Sequence, residues 1–147
     1  WETLQRTHNT LEKFGVPHTC KVCSAHRTPD ALSDWVREGE AAGIEVFIAG
    51  AGLAAALPGC VAAHTIVPVL GVPIQAGALQ GQDALHAIVQ MPPGIPVGAL
   101  AIGTPGATNA ALLAVAILAN KYPEYAEKLK AFRAEQAKKI LETELPC

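Results

Sequence analysis

Between Glu45 and Lys121 lie 75 residues, and Asp83 is the only one of them that carries a charge when histidines are neutral. No other feature of this 147-residue chain constrains its fold so tightly. A single domain of this length leaves a large share of its surface outside, so half a chain without charges needs a cover, either lipid or protein. A membrane-spanning helix takes roughly 18 or more consecutive apolar residues, and here Gly, Pro, Gln, His or Thr intervenes well before that. The cleanest run, Ala110 to Ala119, is ten residues long. The N-terminus has no basic start followed by an apolar core, as a signal peptide would. Eleven basic and thirteen acidic residues give a net charge of -2, which supplies no basic surface for nucleic acid. The expectation is a soluble, cytoplasmic, obligate oligomer whose subunits cover one another, with no membrane and no nucleic-acid partner.

Helical and extended signals alternate along the chain. Trp1, Leu4, His8, Leu11 and Phe14 recur at helical spacing, and Gly15-Val16-Pro17 stops that helix. His18 to Cys23 reads as a short strand. Pro29 opens a helix to about residue 42, with Gly43 after its end. Ile44 to Ala49 is an apolar strand running into the small residues Gly50 to Ala56. A short helix follows from about Pro58 to His64, then a strand from Val67 to Gly71. Asp83 is placed to cap a helix reaching Gln90, and Val97 to Ile102 is the next strand. Ala107 to Ala119 forms an Ala/Leu helix, and an amphipathic helix runs from Pro123 to about Glu142. Its apolar side, Tyr125, Leu129, Phe132 and Ile140, suits docking on a neighbouring subunit. Apolar strands separated by helices predict a single α/β domain over residues 1–147, with a parallel sheet covered on both faces. Ligands of such sheets bind beyond the C-terminal strand ends. Three of those ends carry distinctive loops: Ser24 to Pro29, Gly50 to Ala56 and Val72 to Gly81.

The densest polar cluster is Ser24-Ala25-His26-Arg27-Thr28-Pro29-Asp30. Arg27 offers a planar fork of donors suited to phosphate. His26 supplies an imidazole, the side chain that moves protons near neutrality. The same residues also suit a capped helix start with a surface arginine and a packed histidine, and spacing alone leaves both readings open. Cys20-Lys21-Val22-Cys23 is formally a C-x-x-C. No second such pair exists, and residues three apart on a strand face opposite ways, so Cys20, Cys23, Cys60 and Cys147 are expected to be buried or incidental thiols. His8 and His18 are expected at the surface or a strand edge, His64 at a helix end, and His86 on a helix face in a structural role.

The Ser24–Asp30 cluster resembles the signature of the N5-carboxyaminoimidazole ribonucleotide mutase family, the catalytic subunit of phosphoribosylaminoimidazole carboxylase. The likeness continues through Ile48-Ala49-Gly50-Ala51-Gly52, Leu57-Pro58-Gly59, Pro68-Val69-Leu70-Gly71-Val72-Pro73 and Ile88-Val89-Gln90-Met91-Pro92. Pro96-Val97, Ala101-Ile102-Gly103 and Asn109-Ala110-Ala111-Leu112-Leu113-Ala114 extend it, so that it spans about Trp1 to Leu141 and favours the mutase branch. The resemblance implies a flavodoxin-like three-layer α/β/α sandwich assembled as a homo-octamer, without metal or organic cofactor. It also implies an isomerase of de novo purine biosynthesis that moves a carboxyl group from the exocyclic nitrogen of a ribonucleotide to ring carbon 4, by way of trapped carbon dioxide. On the matching positions, His26 is the general acid and then the base. Arg27 binds phosphate, and Ser24 and Ala25 line the site. Gly50, Ala51, Gly52, Ala54, Ala55 and Leu57 shape a dry pocket around the imidazole, since free carbon dioxide must be neither hydrated nor lost.

Two departures from the family pattern stand out. The family's first strand, ending in a Gly-Ser-x-Ser-Asp turn, lies ahead of the position of Trp1, and the expectation is that these residues are omitted from the sequence. Where the family has Gly-Gly-Ala-Ala-His-Leu-Pro-Gly, this chain reads Gly52-Leu53-Ala54-Ala55-Ala56-Leu57-Pro58-Gly59. A glycine has become Leu53 and a site histidine has become Ala56; Gln80 and Ala84 each replace serine. An active mutase is therefore read beside an alternative, an impaired relative that keeps the oligomeric nucleotide-binding scaffold.

Overall fold

The computed structural model describes residues 1–145; Cys147, one of the four thiols, lies outside the described residues. Helix α1 (Gln5–Phe14) comes first, then α2 (Pro29–Ala41). Strand β1 (Phe47–Gly52), helix α3 (Leu57–Ala62) and strand β2 (Val69–Ile74) follow. Then come α4 (Gln82–Val89), β3 (Gly98–Ala99), α5 (Thr104–Leu118) and α6 (Pro123–Leu141). The three strands form one parallel sheet in the order β1-β2-β3. Every strand is followed by a helix, as parallel neighbours require.

Alternation along the strands sorts the chain into three layers. Phe47, Ala49 and Val69 face α2 and α3, where they pack with Leu32, Val36 and Val61. Ile48 and Val72 face the other way, against Ala107 and Ala110 of α5 and Leu4 ahead of α1. Alanines make α5 thin on its sheet side: Ala107, Ala110 and Ala111 are fully buried, which lets helix and sheet axes approach closely. Thr7 of α1 donates its buried hydroxyl to the Ala107 carbonyl at 2.8 Å, locking the two helices in register. Gly15, with φ 69°, ends α1 as the sequence predicts.

The sheet departs from the sequence reading in three places. The β1–β2 ladder pairs Phe47 with Val69 and continues to Gly52 with Ile74. Both strands thus start two to three residues later than expected and run on through residues read as loops. An apolar run marks burial, whereas a ladder is set by its partner strand. Strand β3 shrinks to Gly98–Ala99. Residues 18–23, read as a strand, form no regular element and pair with no strand among the described residues.

The two charges that bracket the uncharged stretch meet each other. Lys121 Nζ donates to Glu45 Oε1 at 2.7 Å. Lys121, with a second hydrogen bond from Tyr122, holds the Glu45 carboxyl below the usual carboxylate range. The Lys121 ammonium is raised in turn by Glu45 and then by Tyr122. In α6, Tyr125, Leu129 and Phe132 pack on Leu11, Phe14 and Val115 of the same chain. The apolar side read as a docking face for another subunit is therefore spent internally over that half, while Ile140 is 75% exposed. No helix among the described residues is long and apolar enough to cross a membrane.

Candidate functional site

Backbone and hydroxyl groups close the loop from Ser24 to Thr28 on itself. The Ser24 N–H donates to Thr28 Oγ1 at 2.9 Å, and the Thr28 hydroxyl donates back to the Ser24 carbonyl at 3.1 Å. The Thr28 N–H also reaches that carbonyl at 2.9 Å. The Arg27 N–H donates to Ser24 Oγ at 3.2 Å. Ser24 is thus a structural clasp as much as a site residue. Ala25, at the tip, packs into the core cluster of α2, β1 and α3, which leaves His26 and Arg27 pointing outward and exposed. Pro29 starts α2 immediately afterwards, so Arg27 stands two residues ahead of a helix N-terminus, where an anion is favoured.

Leu57, the first residue of α3, packs against the same cluster as Ala25. The Ser24–Thr28 loop and the start of α3 thus rest on one core cluster. Within the segment Gly50 to Leu57 the residues differ in role. A Cβ on Gly50 would touch Leu4 at 3.0 Å, so this glycine makes room for the chain ahead of α1. A Cβ on Gly52 would lie 3.0 Å from the Ile74 carbonyl oxygen. Ala51 faces the cluster of Ala55, Ala84 and Ile88. Ala55 is 2% exposed and packs in that cluster. Ala54 is exposed and Ala56 is half-buried at the N-cap of α3. Leu53 stands at φ 56°, in the left-handed region that a glycine would enter freely; its side chain is exposed and leans toward Gly77.

The loop after β2 is held by polar side chains. Gln75 Nε2 donates to Gln80 Oε1 at 2.9 Å, and Gln80 Nε2 donates to the Gly77 carbonyl at 2.9 Å. Gly81 caps α4 at φ 90°. Asp83, expected as the cap, sits inside the first turn and accepts from the Ala84 N–H at 2.9 Å. The Gly103 N–H bonds the Pro73 carbonyl at 2.8 Å and so ties the end of β3 to the end of β2. A cleft of about 530 Å³, lined by residues from Val89 to Val97, shares no residue with the expected site.

The model of the AIR carboxylase family matches residues 1–139. The chain belongs to the AIR carboxylase family. An N5-carboxyaminoimidazole ribonucleotide mutase of Pseudomonas aeruginosa is 55% identical over 146 residues, covering 99% of this chain and 90% of its own. The mutase of Escherichia coli K12 is 53% identical over 146 residues, covering 99% of this chain and 86% of its own. Among solved structures, Treponema denticola PurE superposes with a TM-score of 0.87 at 27% identity, covering 96% of this chain and 87% of that one. The parallel sheet between helix layers is therefore that of the AIR carboxylase fold, flavodoxin-like as expected.

The sequence reading missed the pairing of His8 with His18. His8 Nδ1 lies 2.7 Å from His18 Nε2, and both residues are half-buried, neither at a free surface nor on a sheet edge. His64 lies in the turn beyond α3, while His86 stays on α4, exposed, as read.

Proposed function

We propose that this chain is an isomerase of de novo purine biosynthesis, interconverting N5-carboxyaminoimidazole ribonucleotide and 4-carboxy-5-aminoimidazole ribonucleotide. The observation that carries the reading is 55% identity with a mutase over nearly the whole chain, with Ser24-Ala25-His26-Arg27 kept on an outward-facing loop. The named mutases among the relatives favour an active enzyme over a silent scaffold.

In this reading Arg27 and the α2 amides hold the substrate phosphate. The bond between the exocyclic nitrogen and the carboxyl carbon breaks, and its electron pair takes a proton from His26. Carbon 4 of the ring then attacks the released carbon dioxide, and His26, now neutral, removes the proton from carbon 4. Protons and electrons balance without an added reagent, which agrees with the expected lack of a cofactor. Closing water out is the task of the segment Gly50 to Leu57 together with neighbouring subunits in a homo-octamer, to which the outer end of α6 contributes. The family's chemistry supports a cytoplasmic setting.

Purified protein mixed with the carboxylated ribonucleotide should interconvert the isomers, followed by ultraviolet absorbance. His26→Asn should lower kcat by about 10²–10⁴-fold, the usual weight of a positioned acid–base group, with the melting temperature unchanged because the side chain is exposed. Full activity in that variant would overturn the mechanism. Ala56→His tests the altered loop: a large gain in kcat would mark the natural sequence as attenuated at this step.

A further inference from the structure

We propose that His8, His18 and Cys20 form a binding site for a thiophilic divalent cation of the zinc class, separate from the Ser24–Thr28 loop and independent of the mutase reading. One ligand atom from each of the three lies within 4.8 Å of the others. Their positions come from two different pieces of structure. His8 is fixed by α1, whose neighbouring Thr7 is anchored to α5. His18 and Cys20 lie two residues apart in the irregular segment that follows α1, close enough to His8 for all three ligand atoms to converge.

The hydrogen bonds already set the tautomer that a metal needs at His18. His18 Nδ1 lies 2.8 Å from the Val16 carbonyl oxygen, and a carbonyl only accepts, so that nitrogen carries the proton. His18 Nε2 therefore presents its lone pair inward, toward His8 Nδ1 at 2.7 Å. A backbone carbonyl that orients the far nitrogen is how proteins fix metal-binding imidazoles. A tetrahedral ion with nitrogen ligands at about 2.0–2.1 Å and sulfur at about 2.3 Å needs nitrogens about 3.4 Å apart. The two rings thus have to part by well under 1 Å, the His8 proton shifts through solvent from Nδ1 to Nε2, and the Cys20 thiol proton is released. Two imidazoles and a thiolate suit zinc-class ions better than calcium or magnesium. Glu12 Oε1, 3.9 Å from His18 Nε2, places a carboxylate beside the open fourth position.

A bound ion would clamp α1 to the segment that leads directly into the loop bearing His26. The test titrates the chain with Co²⁺, as a spectroscopic probe, and with Zn²⁺ by calorimetry. One equivalent is expected per chain, with a cobalt–thiolate charge-transfer band and the intense visible bands of a tetrahedral site. Zn²⁺ should raise the melting temperature. Cys20→Ser, at an exposed position that the fold tolerates, should abolish the thiolate band, weaken binding at least tenfold and cancel the thermal shift. His18→Gln should weaken binding comparably. Cys23→Ser, Cys60→Ser and Cys147→Ser should leave the band intact. Absence of stoichiometric binding, a thiolate band that survives Cys20→Ser, or one lost in Cys23→Ser would each overturn the proposal.

Discussion

A Cβ built on Gly106 would sit 1.6 Å from the Ala101 carbonyl oxygen, an overlap no rotamer relieves because both partners are backbone. Gly106→Ala should therefore destabilise the fold by about 3 kcal/mol or more, read as a lower melting temperature. Gly43, at φ 87° with open space around it, isolates the conformational part: Gly43→Ala should cost only about 1–2 kcal/mol. Arg27 is proposed to serve function instead of stability. Its exposed guanidinium makes no side-chain contact that the fold depends on, so Arg27→Ala should leave the melting temperature alone. If it grips phosphate, KM should rise by about 10–100-fold, the weight of a charge-assisted hydrogen bond. An unchanged KM would remove Arg27 from the site. The candidates His26 and Arg27 were legible in the sequence, because a polar cluster after an extended run is a local pattern. The His8–His18 contact was not, since it depends on where α1 lies over residues 18–23.

The Glu45–Lys121 pair gives the connection between β1 and the end of α5 a pH dependence of known sign. Glu45 has its folded pKa lowered, so its contribution is complete above the ordinary carboxylate range and is lost as pH falls through the folded value. Lys121 is raised, so its contribution persists through neutral pH and is lost only under strong alkali. Thermal melts of the parent and Glu45→Gln should differ most near neutrality and converge by about pH 3; a gap that stays constant would mean the pair is not linked to folding. Helices were read well, to within a few residues, because their apolar spacing and their Pro and Gly stops lie within each segment. Strands were read less well. Ile44 and Val46 are as apolar as β1 needs, yet the ladder begins at Phe47, where Val69 becomes available as a partner. For α6 the apolar stripe was legible, but its partner was not: Phe132 meets Phe14 with ring centroids 5.6 Å apart.

Across the molecule, the uncharged stretch now divides into strands enclosed between helix layers and an apolar remainder on the outside. Leu113 on α5 is 41% exposed and Ile66, ahead of β2, is 97% exposed. Covering such groups is the work of a proposed octamer, and sedimentation at equilibrium should return eight times the chain mass. A monomer at micromolar concentration would refute that assembly. The contact between Glu45 and Lys121 has one more consequence. Because the side chains on either side of those 75 residues touch, the whole stretch from β1 to α5 is a loop of chain closed at its base by one ion pair.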